Sequence, residues 1–555
     1  MNFFSTTVMN GKIKMKNQHL LSTICYKGKS YEGTLYLGKR DEVFIDLKYF
    51  FTYREELPLI KCITNGKTFY LYDNKIGYGR IYPKYIVDSY SHDSFSSFEF
   101  YLDGVSEWLQ SLDDEDDTLF KEPIKINGEK YNCSGVLKKK KFIITVESVN
   151  HQIELNSIEF ITQQFARLFS FLCYNKVTCS GAKIRDNKKK YSVYSFLFSE
   201  SKYKLDCQYS LLSARFIHTE NLWSVILQNY LETKTELFEG CLNNFWGQIK
   251  FEGYWGYDFL GLFAIMDKYT KITNLGKTAM VFSTENVESA VRRVKDFIIS
   301  QENLSDEERR IFSLLPGKIK KMNSWNEGNS AKSRIHYLLS KDILFNADER
   351  SIFTLVDVNL KRLLDLRDKI AHGECLNSEG GHIYNNFLPL ISQLKILVAW
   401  VIYRELSIPS KIIWLGTRDS WHYDVRDAKI DINRLNVMIG DIPVFQVPKK
   451  TFEYFSKMHI DSCFTYNQET NNLIFDESLT NNAEKKLHED RHGAIENAVS
   501  KIAPQYNRPV YLRRCLIECE NMYKTILGVV IANYESVPVT LQEKCVKWIC
   551  RLGRK

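Results

Sequence analysis

The chain has 555 residues, of which 44% are hydrophobic, 14% aromatic and 26% charged. That balance excludes a disordered or fibrous protein, and the length favours three or four domains over one. With 75 basic and 67 acidic residues the net charge is +8, which permits a nucleic-acid partner without demanding one.

The opening stretch, MNFFSTTVMNGKIKMKNQHLL, lacks the uninterrupted apolar run of a signal peptide. The residues after it favour β-structure. Tyr31 to Leu37, Val43 to Leu47 and Thr68 to Tyr72 are rich in aromatic and β-branched residues and are separated by Gly, Asn and Asp. Phe98, Phe100 and Leu102 alternate with Glu99 and Tyr101, which predicts a strand with one buried face. The acidic run Asp113 to Asp117 reads as a solvated loop. Further strands are expected at Phe142 to Val146 and Tyr191 to Phe198, around a helix at Ile158 to Leu172. The lysine runs Lys138 to Lys141 and Lys188 to Lys190 read as hairpin tips, the alternative being that together they form a patch for an acidic partner.

From about Asn221 the pattern becomes helical. The spacing predicts helices over Leu222 to Phe245, Tyr257 to Tyr269, Val287 to Ser300, Asp306 to Leu315, Ala331 to Lys341, Ser351 to Ala371 and Asn386 to Leu406, and Pro409 ends the series. The most apolar run, Leu394 to Tyr403, is about half of what spans a bilayer and contains Lys395, so no membrane segment is expected. Beyond it, short strands mix with two late helices near Asn482 to Ile502 and Arg513 to Tyr534. The expected class is α+β: a β-rich N-terminal domain over residues 1–205, an all-α bundle over 206–408, and a mixed region over 409–555.

The stretch Leu363 to Glu374 carries the most chemistry. Arg367 and His372 stand five positions apart, with Asp368 beside the arginine and Gly373 beside the histidine. Metal-free RNA cleavage needs a proton acceptor for the 2′-hydroxyl, a proton donor for the leaving oxygen, and positive charge on the phosphorane. Histidine exchanges protons near neutral pH, and the arginine fork grips two phosphate oxygens. Among the chain's 11 histidines, only His372 has an arginine five to seven positions before it. Five positions on a regular helix turn a side chain by about 140°, so the pair would diverge. Gly373 predicts a C-terminal cap, where an unwound last turn would bring the imidazole back. A second copy of the motif from a dimer partner is the other way to complete the site. The plain alternative is that His372 caps a helix while Arg367 pairs with an acid.

In this context the chain resembles a known family. Residues 350–408 are similar to the second half of a HEPN domain, and RDKIAHGE resembles that family's Arg-Asn…His-Gly stretch. FLGLFAIMDKYTK, Phe259 to Lys271, resembles the preceding helix of the ApeA-like subgroup, with Asp267 where Glu is usual. KGKSYEGTLYLGKRDEVFIDL resembles the subgroup's β-rich opening domain. The similarity runs from about residue 20 to 408, in the right order. It departs at Asp368, where Asn is common, and no Tyr follows His372 in the spacing of members silenced by AMP transfer. The resemblance implies a cytoplasmic, dimeric endoribonuclease that needs no metal or cofactor. Such an enzyme leaves a 2′,3′-cyclic phosphate and a 5′-hydroxyl. The implied role is abortive-infection defence, cutting cellular RNA such as tRNA after a phage-derived trigger, with Arg367, His372 and Asp368 as site residues. A non-catalytic HEPN module that dimerises and docks RNA is the alternative.

Three other patterns compete. His488-Glu489-Asp490-Arg491-His492 spells the zinc-protease motif H-E-x-x-H, but Glu484-Lys485-Lys486 before it and Gly493 after it read as a charged surface helix. Gly276-Lys277-Thr278 ends like a phosphate-binding loop, yet Lys271 occupies the first glycine's place. Cys515, Cys519, Cys545 and Cys550 suggest a zinc site, whereas Cys515, Cys519, Met522 and Ile526 predict one buried helical stripe. The 13 cysteines, odd in number and scattered, read as reduced thiols.

Overall fold

The computed structural model describes residues 18–543 and Cys545, apart from 27–28, 38–42, 48–55, 65, 78–79, 111, 113–117, 139–140, 187–188, 196–197, 199–208, 234–237, 239–244, 246, 248–254, 274–283, 302, 322–330, 348–349, 356–357, 374–379, 456–460, 491–493 and 507. The acidic run 113–117 and the Gly276-Lys277-Thr278 segment lie outside the described residues. The class is α+β. The chain divides into two compact units, residues 1–268 with 395–423, and residues 269–394 with 424–555.

The first unit opens with six antiparallel strands: β1 (Gln18–Tyr26), β2 (Lys29–Leu37), β3 (Val43–Leu47), β4 (Glu56–Thr64), β5 (Lys67–Gly77) and β6 (Arg80–Asp88). Their order is β3-β2-β1-β4-β5-β6, and Ile45↔Ile81 with Asp46↔Arg80 joins the two ends into a barrel. The interior follows from alternation along each strand. Ile24, Leu35, Ile45, Ile60, Cys62, Phe69, Leu71, Ile81 and Ile86, drawn from all six strands, form one buried cluster.

Strand β6 has a second partner. Its first half closes the barrel, whereas Ile86 and Val87 pair with Tyr194 and Val193. The chain then adds β7 (Ser94–Phe95), β8 (Ser97–Asp103), β9 (Thr118–Ile126), β10 (Glu129–Lys138), β11 (Lys141–Ser148), β12 (Ile153–Glu154), β13 (Thr178–Asp186) and β14 (Lys189–Tyr194). Beyond β6 the sheet runs β14-β13-β8-β11-β10-β9, while β7 and β12 pair separately. One face packs on the helix Ser157–Cys173, with Phe100 against Phe165 and Phe142 against Phe169.

Register removes one alternative left by the sequence. The β10–β11 turn lies at the Leu102 end of β8, and the β13–β14 turn lies at the Ser97 end. A seven-residue strand separates them by about 20 Å, so the two lysine-bearing turns do not form a single patch.

The opposite face carries a buried acid. Glu99 is 4% exposed and accepts from Lys190 Nζ at 2.6 Å and from the Tyr101 hydroxyl at 2.8 Å. Burial pushes its carboxyl up, but the bonds from Lys190 and Tyr101 and the charges of Lys190 and Arg185 outweigh this and hold it below its ordinary value.

Helices expected from the sequence recur at Trp255–Ile272, Thr284–Ser300, Asp306–Ser313, Ala331–Lys341, Val358–Ala371 and Gly380–Glu405. Ser305 caps Asp306–Ser313 in a reciprocal box with Glu308. Of the helix expected over Leu222 to Phe245, the described part is helical, Trp223–Gln228 running directly into a π-helical turn Asn229–Thr233, and most of the remainder lies outside the described residues. Within Gly380–Glu405 the stretch Asn386–Glu405 is long and apolar enough to cross a membrane, but 72% of it is buried inside the protein, as in a core helix.

The second unit also holds the two-residue pair β15 (Asn346–Ala347) and β16 (Arg350–Ser351) and a mixed sheet. The sheet comprises β17 (Val444–Gln446), β18 (Ser462–Asn467), β19 (Asn472–Phe475), β20 (Val510–Cys519) and β21 (Met522–Ile531), ordered β17-β20-β21-β18-β19. The late helix expected over Asn482 to Ile502 is two helices, Glu477–Asp490 and Ile495–Ile502, which bury Leu479, Ala483, Ile495 and Val499 with Cys463 and Val530. The one expected over Arg513 to Tyr534 is instead the β20–β21 hairpin. Its turn residues Glu520 and Asn521 both have positive φ, at 51° and 59°, as a two-residue hairpin turn requires. The apparent helical stripe is an accident of reflection about that turn. Cys519 pairs across it with Met522, and Cys515 pairs with Ile526.

The Glu99 network makes stability depend on pH. Because its folded value is depressed, Glu99 stabilises the native state above its unfolded value, and this is lost as pH falls through the folded value. Glu99→Gln is expected to lower the melting temperature by a few degrees at about pH 7, with the gap to wild type closing towards about pH 3. Thermal melts of both proteins across that range check it. A gap that stays constant with pH would show that the charge of Glu99 contributes nothing.

Candidate active site

The helix Val358–Ala371 buries Leu360, Leu363 and Leu366, three residues at helical spacing, and leaves its other side in solvent. Its start is fixed by Asn359 Nδ2, which donates to the Thr354 carbonyl at 2.8 Å. The Arg362 guanidinium lies 5.2 Å from the ring centroid of Phe387 on the following helix.

Gln393 joins the surrounding segments. It is 1% exposed, and its Oε1 accepts from the Thr354 amide at 3.0 Å. Its Nε2 donates to Thr354 Oγ1 at 2.9 Å and to the Ala428 carbonyl at 2.6 Å. Close by, the Asp431 amide donates to the Ile352 carbonyl at 3.1 Å. Asp431 then caps the helix Ile432–Ile439 by accepting from the Asn433 and Arg434 amides. The segment leading into the motif helix is thereby tied to the helix after it and to the start of the C-terminal region. Sequence reasoning passed over Gln393 and Thr354. The available signal was a pair of polar residues, Ser392-Gln393, inside an otherwise apolar run.

The helix ends where the glycine predicts. Gly373 has φ of 71°, and its amide donates to the Ile370 carbonyl at 3.1 Å. The last turn does not open before His372, however. The His372 amide still donates to the Asp368 carbonyl at 3.0 Å, an ordinary helical bond. Arg367 and His372 therefore keep helical phasing, about 140° apart around the axis, and the expected unwinding is absent.

Both motif side chains are accessible. Arg367 Nε donates to Asp368 Oδ1 at 2.9 Å, and Nη2 donates to the same oxygen. The pair is 36% and 53% exposed, so Asp368 is engaged with the arginine. His372 is exposed, and its imidazole has no hydrogen bond among the described residues. A helix end of this kind presents a guanidinium, a carboxylate and an imidazole to a large substrate arriving from solvent. Asp267 lies on Trp255–Ile272, within the stretch assigned to the other unit.

The competing patterns separate. His488 closes the helix Glu477–Asp490, and Glu489 is held by Lys486 Nζ at 3.1 Å, while His492 lies outside the described residues. Cys515, Cys519 and Cys545 are buried members of one apolar cluster, and Cys550 lies outside the described residues. Burial pushes the Cys545 thiol up to about 11. Among the described residues no group of three or more His, Cys, Asp or Glu side chains is placed to hold a metal ion.

No known family model, curated protein or solved structure matches this chain.

Gln393 supplies a direct test of how the motif helix is positioned. Gln393→Leu leaves the buried Ala428 carbonyl and the part-buried Thr354 amide without that partner and is expected to cost about 2 kcal/mol. Urea denaturation measures it. A loss under about 1 kcal/mol would mean that the segments hold together without the amide.

Proposed function

We propose that this protein is a HEPN-type, metal-independent endoribonuclease of the ApeA-like kind, acting on cellular RNA in the cytoplasm as part of anti-phage defence. The observation that carries the reading is the Arg367-Asp368…His372-Gly373 run, accessible at the capped end of a helix whose other side is buried. In the proposed reaction His372 takes the proton from the 2′-hydroxyl, whose oxygen attacks the adjacent phosphorus. Arg367 grips the phosphorane oxygens, and the 5′-oxygen leaves with the proton that His372 returns, giving a 2′,3′-cyclic phosphate and a 5′-hydroxyl with His372 neutral again. Asp368 aligns the Arg367 fork.

Since Arg367 and His372 diverge around one helix, the complete site needs a second copy of the motif, which makes the active species a homodimer. The apolar residues of 352–366 and 387–403 are largely buried within the single chain. The contact therefore falls to exposed apolar residues of the helical region, Phe297, Ile299, Ile311 and Leu314. A phage-derived component is the proposed trigger. The same divergence favours a second reading, in which the helices dock RNA without cutting it.

His372→Ala and Arg367→Ala are each expected to lower cleavage at least ~100-fold while leaving the melting temperature unchanged. Wild-type activity should depend on pH, survive EDTA and leave cyclic-phosphate ends. Labelled RNA incubated with each protein, followed by analysis of the 3′-ends, decides the matter. RNA bound but left intact by the wild type supports docking alone. Loss of activity in EDTA, or 3′-hydroxyl ends, overturns the proposed chemistry.

A further inference from the structure

The exposed face of β8, β13 and β14 has an unusual charge arrangement. Arg185 on β13 stands directly opposite Lys190 on β14. Like charges so placed destabilise a sheet. One carboxylate relieves them. Glu99 Oε2 lies 2.6 Å from Lys190 Nζ and 3.4 Å from Arg185 Nη2. A third cation, Lys183, is directly opposite Glu99 on β13. Its Nζ sits 5.7 Å from the Tyr101 ring centroid, and the Tyr101 hydroxyl occupies Glu99 Oε1.

The two signs differ in depth. The Glu99 side chain is 5% exposed, whereas those of Arg185 and Lys190 are 43% and 45% exposed. An approaching anion meets three cations, and the one carboxylate that Arg185 and Lys190 share lies beneath them. Arg185 reaches Glu99 with a single long contact, so most of its fork faces solvent. The acids bordering the patch are Asp186, opposite Lys189 at the turn, and Glu147, which closes the row Lys190–Arg185–Ser97–Glu147.

We infer that Arg185 and Lys190, held by buried Glu99, and Lys183, seated over the Tyr101 ring, form a phosphate-binding surface for the backbone of an RNA strand. Guanidinium and ammonium groups fixed by a buried acid are ordered before the ligand arrives, which reduces the entropy lost on binding. Lys183 and Arg185, two apart on one strand, stand about 7 Å from each other, on the order of the step between successive phosphates of a nucleic-acid strand. A run of phosphates can therefore engage both at once. The choice of RNA rests on the function proposed above, while the anion-binding geometry stands without it.

The test uses full-length protein carrying His372→Ala, so that RNA is not consumed. A fluorescein-labelled single-stranded RNA is titrated by anisotropy over a range of salt, into this parent and into versions with Lys183→Glu or Arg185→Gln added. Neither addition removes the Lys190 contact to Glu99, and thermal melts confirm folding. Each is expected to weaken RNA binding about tenfold and to reduce the salt slope by roughly one. Folded variants that bind like the parent overturn the inference, as does a parent with no affinity at low salt. Polyglutamate competing as well as unlabelled RNA also overturns it, because the face would then serve an acidic protein. Binding lost in the variants, beside a wild type that never cuts RNA, would sink the nuclease reading and leave this one intact. Cleavage by wild type with variant affinity unchanged would do the reverse.

Discussion

The motif helix depends on one buried amide. Gln393 uses both of its donors and its acceptor on Thr354 and Ala428, so the segment before the helix, the helix after it and the start of the C-terminal region share one fully satisfied polar centre. Apolar packing is tolerant of small shifts, but a hydrogen-bonded amide in a dry interior is not. Leu360, Leu363 and Leu366 supply adhesion, and Gln393 supplies register. Arg367 and His372 inherit their placement from it, being one and six residues beyond Leu366, the last leucine that faces the core.

Elements whose buried face follows a simple period were legible in the sequence. The alternation Phe98, Phe100, Leu102 gave β8, and the apolar spacing of Ala331 to Lys341 gave a helix with the same bounds. The β20–β21 hairpin was not legible, because a two-residue turn reflects one strand onto the other. Positions four, three and four apart then fall on facing sites, which is also the spacing of a helix face. Hydrophobic period alone cannot separate the two. The β-branched ending Val529-Val530-Ile531 and the Asn at 521 were the discriminating signals. Barrel closure was hidden for another reason. It rests on β3 meeting β6, a contact between strands far apart in the chain that no local pattern encodes.

For the site, residue types and the cap were readable, but their mutual geometry was not. Gly373 announced the helix end, and its φ of 71° agrees. Whether the preceding turn stays closed is decided by a single backbone bond, His372 to Asp368, whose formation no side chain dictates. Likewise, Asp368 had two neighbours it could serve, and it serves Arg367. The charge network around Glu99 was equally invisible. It needs the register of three strands before Arg185 and Lys190 can be seen to share one acid, with Lys183 alongside.

Strand β6 belongs to two hydrogen-bonding systems, with its first half in the barrel and its second half in the neighbouring sheet. The barrel is therefore not a detachable module. A fragment beginning after Asp88 would strip β14 of its β6 partner, leave the backbone of Val193 and Tyr194 as a bare edge, and uncover the Tyr194 ring where it packed on the barrel core. Such an edge recruits other chains. The two hydrogen-bonding systems therefore stand or fall together, and insertions are expected to be accommodated at the turns and not at the join.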